Sequence, residues 1–133
     1  VNCWWLDGRL VAYVSDESGG KEVYVASFPG PGGRWQVSQN GGTEPRWRGD
    51  AKELFFFAPD NRLMAAQVRV GEGSFQVGAI ESLFPLRALG TRWRYDVSRD
   101  GQRFLVNTPL PGSSSSSSEI GLIVGWPELL RRR

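Results

Sequence analysis

Histidine is absent from the 133-residue sequence. That removes the commonest general base, the usual activator of a Ser or Cys nucleophile and the commonest zinc ligand, so hydrolase and zinc chemistry lose most of their ground. Cysteine occurs once, as Cys3, which cannot close an internal disulfide. No apolar run approaches the ~18 to 20 residues that a membrane-spanning helix needs. Val1 onward also lacks the charged start and apolar centre of a signal peptide. No membrane span is expected in this chain. A dominant charge is missing too: 16 Lys+Arg stand against 14 Asp+Glu, a net +2. Charge therefore gives no reason to expect a nucleic-acid partner. The chain opens without Met, on Trp4 and Trp5 that already read as strand, and is expected to be a piece of something longer.

What the sequence does contain is 17 Gly, 8 Pro and 12% aromatic residues, the mixture of turns and packed rings that suits an all-β chain. Short apolar runs alternate with turn signals. "LVAYVS" (10–15) and "EVYVASF" (22–28) flank the polar "DESGGK" and read as a hairpin. "RWQVS" follows as a third strand, and "EPRW" begins another after "QNGGT". The pattern then recurs: "ELFFFA", the turn "PDN", "RLMAAQVRV", and the short "SFQVG". A last copy offers "RWRYDVS", "QRFLVN" and "EIGLIVGW".

Aligned on Asp7, Asp50 and Asp100, the copies stand 43 and 50 residues apart. A period near ~40 to 45 with about four strands per unit is the mark of propeller blades. Three residues before each Asp come Trp4, Trp47 and Val97, at the ends of expected innermost strands. Asp7-Gly8 and Asp100-Gly101 read as tight turns between first and second strands, and Asp50 occupies the same place. The expectation is an all-β propeller fragment of about three four-stranded antiparallel blades, over roughly 1–40, 41–85 and 90–127. The last blade lacks an outer strand. A Ser-rich loop at 112–118 is expected as an extended insertion, and "ELLRRR" as a solvated tail.

The phrases "WLDGRLVAYVS", "PRWRGDAKELFFF", "YDVSRDGQRFLVN" and "GLIVGW" resemble the TolB-type, WD-like β-propeller repeat. They are particularly similar to the version at the C-terminal end of bacterial serine/threonine protein kinases. The usual family phrase is Pro-x-Trp-Ser-Pro-Asp-Gly before an apolar strand. Pro45-Arg46-Trp47 keeps its first part, Gly49-Asp50-Ala51 replaces its end, and the other two copies lack the proline. The resemblance implies a binding or sensing module without catalytic residues or cofactor, with an extracytoplasmic or periplasmic place favoured. Six or more blades are usual in the family, so self-association or the remainder of a longer propeller is expected to complete the ring.

Each candidate site has a plainer structural reading. Asp16, Glu17 and Glu22 lack the alternating spacing and terminal bidentate Glu of a calcium loop, and are expected as a solvated turn. Ser15, Ser38 and Ser98 have no base and no Gly-x-Ser-x-Gly elbow, so no catalytic residue is assigned. The clusters "PRWRG" and "TRWRY" interleave Arg with Trp as single-strand binders do. Their repeat position favours blade packing instead, with Arg46, Arg48, Arg92 and Arg94 expected near a central channel where a protein or small-molecule ligand could meet a positive rim. The competing expectation is the propeller of a prolyl-oligopeptidase-like serine peptidase, disfavoured by the missing nucleophile elbow.

Overall fold

The computed structural model describes residues 3–6, 9–28, 32–71, 74–85, 95–109 and 118–124, with 3–6, 108–109 and 118–124 described by backbone alone. Asp7, Gly8, Arg92, Arg94 and residues 112–117 of the Ser-rich loop lie outside the described residues. The architecture is all-β, in three antiparallel sheets. The first runs β1 (Cys3–Leu6), β2 (Leu10–Ser15), β3 (Glu22–Ser27), β4 (Arg34–Gln36) in that spatial order. The second is β5 (Thr43–Trp47), β6 (Glu53–Phe57), β7 (Arg62–Gly71), β8 (Ser74–Pro85). The third places β10 (Arg103–Pro109) between β9 (Tyr95–Val97) and β11 (Ser118–Val124). Every neighbour is sequential in the chain, the meander of a propeller blade.

Period-2 alternation explains how the sheets stack. In β6, Leu54 and Phe56 join a core with Leu10, Ala12, Val23 and Val25 of the first sheet. Phe55 and Phe57, pointing the other way, join Tyr95, Phe104 and Val106 of the third. The middle sheet is buried on both faces, which is why its central strand reads "ELFFF" without a polar interruption. Phe55 meets Phe104 edge-on at 5.2 Å between centroids, and Phe84 meets Phe104 likewise at 5.6 Å. Each ring so buried contributes roughly 1.5–3 kcal/mol. Trp47 packs against the first core, edge-on to Phe75 at 6.3 Å.

One turn is used repeatedly. In Arg48–Ala51, Ala58–Asn61 and Ser98–Gly101 the fourth residue donates its amide to the first carbonyl at 2.9, 3.1 and 2.9 Å. That fourth residue lies in the left-handed region each time: Ala51 at φ 61°, Asn61 at 64° and Gly101 at 71°. The Asp before Ala51 and Gly101 has a local reason. Asp50 Oδ1 accepts the Lys52 amide at 3.0 Å, and Asp100 Oδ1 accepts the Gln102 amide at 3.0 Å.

The strand expected over "SFQVG" proves to be the twelve-residue β8. Its pairing with β7 jumps from Leu63↔Phe84 to Met64↔Ser82 and from Ala66↔Ile80 to Val68↔Val77. Each jump inserts an extra β8 residue, a bulge that bends the ribbon and lets a long edge strand follow its neighbour. The first bulge also explains why consecutive Leu83 and Phe84 are both buried in the same core.

Candidate functional site

The seam between the second and third sheets, with its turns, gathers Arg46, Arg48, Asp50 and Asp100 of the charged side chains that the sequence singles out. It begins with a bulge in β5, where Thr43 pairs with Phe57 but Arg46 already pairs with Phe55. Glu44 takes φ 52° to accommodate the extra residue. Its carbonyl thereby accepts the Tyr95 hydroxyl of β9 at 2.7 Å. Arg46, paired with Phe55, faces the same way into the seam. Its Nη1 donates to the Pro45 carbonyl at 3.0 Å, its Nε lies 3.6 Å from Asp96 Oδ1, and its guanidinium sits 5.6 Å from the Tyr95 ring centre. Burial is nearly complete for the Arg46 side chain at 8% exposure, whereas Asp96 remains 71% exposed. The cation is therefore held against an aromatic face, with its counter-charge on the solvent side.

Arg48 belongs to the turn beyond β5. Its Nη1 donates to Glu53 Oε1 at 2.9 Å and its Nε lies 3.3 Å from Asp50 Oδ2. The Gly49 amide donates to the Arg99 carbonyl at 2.8 Å, so the second sheet's turn docks on the third's. A Cβ at Gly49 would stand 2.6 Å from that carbonyl oxygen, closer than real contacts allow. Arg48 also lies over Gly101, where an added Cβ would meet its Cδ at 3.0 Å. Beside these turns opens a groove of about 640 Å³, lined by Arg48, Lys52, Glu53, Gln67, Arg69 and Gln76 among others. Arg48, Lys52 and Arg69 there can donate hydrogen bonds to a ligand with acidic groups, and Glu53 holds Arg48.

Asp50 and Asp100 sit in equivalent turns. The Asp100 carboxyl is held below its ordinary value, first by the Ser98 hydroxyl and then by the Gln102 amide. Asp50 and Asp100 thus complete turns, and Val97 packs at the edge of the second core.

Glu22 departs from the sequence expectation of a solvated turn. It is buried, accepting the Ser38 hydroxyl on Oε2 and the Gly41 amide on Oε1 at 2.9 Å. Ser38 Oγ in turn accepts the Val23 amide at 2.8 Å. The carboxylate clips the 38–42 connector, which leads from the first sheet to the second, back onto the β2–β3 hairpin. No local sequence signal distinguishes it from the exposed Glu17 five residues earlier. Among the described residues no group of three or more His, Cys, Asp and Glu is placed to hold a metal ion, and no helix is long and apolar enough to cross a membrane.

No family model matches the chain, and no curated protein matches it. Among solved structures it is similar to the crystal structure of the tricorn protease, a protease that contains β-propellers, with a TM-score of 0.52 and 11% identity over 88% of this chain. The chain spans 11% of that protein's chain. The likeness is one of fold: three consecutive propeller-type blades.

Proposed function

We propose that this chain is a non-catalytic propeller module that binds or senses a protein or small-molecule ligand on behalf of a larger protein. The observation that carries the reading is the use made of its ionisable groups. Arg46 with Asp96 fastens the second sheet to the third, Arg48 with Glu53 closes the β5–β6 turn, and Glu22 with Ser38 and Gly41 fastens the connector between the first and second sheets. The sequence supplies no histidine to serve as a base. What remains for function is display: stacked sheets hold the turns and grooves rigidly, and specificity resides in those turns. The resemblance to the TolB-type repeat supports the C-terminal region of a bacterial serine/threonine kinase as the parent. Exposure of the chain to a serine-directed fluorophosphonate tests the non-catalytic part. No labelling is expected, and stoichiometric labelling of any serine would overturn it.

The likeness to a propeller-containing protease favours a second reading, the propeller of a serine peptidase. The two part in the coding sequence around this segment. A kinase domain before it supports the first, and an α/β-hydrolase domain with a nucleophile elbow after it supports the second.

A further inference from the structure

Asn40 is the one asparagine of the sequence that precedes a glycine; Asn2, Asn61 and Asn107 precede Cys3, Arg62 and Thr108. The fold requires that glycine. Gly41 lies at φ 95°, and a Cβ there would stand 2.4 Å from Pro59 Cγ in the β6–β7 turn. Asn40 itself is exposed, and among the described residues none hydrogen-bonds its carboxamide. It lines two adjoining grooves, of about 700 and 510 Å³, through which water reaches it. A carboxamide next to a backbone nitrogen that carries no neighbouring side chain is set up for ring closure. The Gly41 nitrogen gives up its proton and bonds to Asn40 Cγ, the Cγ–Nδ2 bond breaks, and ammonia leaves. Water then opens the cyclic imide at either carbonyl. One product carries a side-chain carboxylate on an unchanged backbone, and the other is an isoaspartyl link with one methylene more in the main chain.

What sets this pair apart is the group that already holds its nitrogen. The Gly41 amide donates to Oε1 of buried Glu22 at 2.9 Å, while Oε2 accepts the Ser38 hydroxyl. Taking the proton from Gly41 there would leave two negative charges within hydrogen-bond distance in a half-buried place, which is costly. The cyclic imide, moreover, has no N–H to return to Glu22. A closed clip and a cyclised Asn40 therefore exclude each other. We propose that Asn40 is a latent self-modification site gated by the Glu22 clip: it stays intact while Gly41 is held, and deamidates when the 38–42 connector opens. Loss of ammonia makes the change irreversible, so each opening that leads to reaction leaves a permanent mark. The isoaspartyl product also lengthens the connector between the first and second sheets and adds a negative charge to it. This rests on the clip and not on the binding role.

Peptide mass spectrometry of the full 133-residue chain, incubated at neutral pH and physiological temperature, tests it by following the gain of about 1 Da at position 40. The folded wild type should react at least about tenfold more slowly than the same chain in concentrated guanidinium chloride, where the clip is open. Glu22→Ala should raise the folded rate by about tenfold, and Glu22→Gln, which keeps one acceptor oxygen but loses the charge, by less. Tyr95→Phe weakens the other seam without touching the connector and should leave the rate at the wild-type value. That control separates local opening from global unfolding. Cooperative melting shows that the variants fold; if Glu22→Ala does not, Glu22→Gln and the wild-type comparison still decide. A folded wild type that deamidates as fast as the denatured chain overturns the proposal. So does a Glu22 variant no faster than the wild type, which would make the carboxylate a bystander or a base, and so does an equal acceleration by Tyr95→Phe. None of these outcomes bears on fluorophosphonate labelling, which tests the binding-module reading separately.

Discussion

The Tyr95 hydroxyl donates a 2.7 Å hydrogen bond to the Glu44 carbonyl across the seam between the second and third sheets. Both partners are buried, and the carbonyl points there because the β5 bulge holds Glu44 at φ 52°. Tyr95→Phe keeps the ring against Phe57, whose centroid lies 6.1 Å away, and removes only the donor. The loss should be about 1–2 kcal/mol, since a buried carbonyl gives up a partner. Urea denaturation measures it. A variant as stable as the wild type would show that water replaces the hydroxyl.

Ala51 occupies the left-handed position that Gly101 fills in the equivalent turn, at φ 61° against 71°. A side chain there costs roughly 1–2 kcal/mol, so Ala51→Gly should raise stability by about 1 kcal/mol. Gly101→Ala should lower it by at least as much, because the new Cβ also meets Arg48 Cδ at 3.0 Å. Opposite signs for the two exchanges in thermal melts are the diagnostic result. Equal signs would mean that the turns are not equivalent.

These turns show how far the sequence can be read. The recurrence of Asp50 and Asp100 reveals equivalent places in two sheets, and the unbroken "ELFFF" follows from a strand buried on both faces. The length of β8 escapes such reading because two bulges shift its alternation, so its 74–85 run matches no single period. Glu22 escapes for another reason. A carboxylate beside Gly19 and Gly20 has the local chemistry of a wet turn, and only the distant Ser38 and Gly41 make it a buried clip. Arg46 and Arg48 read equally well as free cations until Asp96 and Glu53 are brought beside them by the fold.

Asp100 ties a charge to the Ser98–Gly101 turn, and its carboxyl lies below the ordinary value of 3.8 because of the Ser98 hydroxyl first and the Gln102 amide next. A carboxyl depressed on folding contributes stability that is fully present above its unfolded value and is lost as pH falls through its folded value. The gap between wild type and Asp100→Asn should therefore be widest near neutral pH and shrink below about pH 4. Ser98→Ala should narrow the gap by removing the principal cause. Paired denaturation curves across that range measure it, and a gap independent of pH would assign the turn's stability to the backbone alone.

Glu22 offers the sharpest test of how the first sheet is joined to the second. Its two carboxylate oxygens take the Ser38 hydroxyl and the Gly41 amide, and the adjacent Gly42 amide reaches the Lys21 carbonyl at 3.0 Å. Glu22→Ala leaves the buried Ser38 hydroxyl and the half-buried Gly41 amide without an acceptor, at a cost of about 2–3 kcal/mol. Glu22→Gln retains one acceptor oxygen and should cost less. Because the connector is held from one side, the loss should be local as well as global: amide exchange at Gly41 should accelerate by more than at Phe55 in the core. Equal acceleration at both sites would mean that the carboxylate supports the whole stack, and unchanged protection at Gly41 would remove the clip altogether.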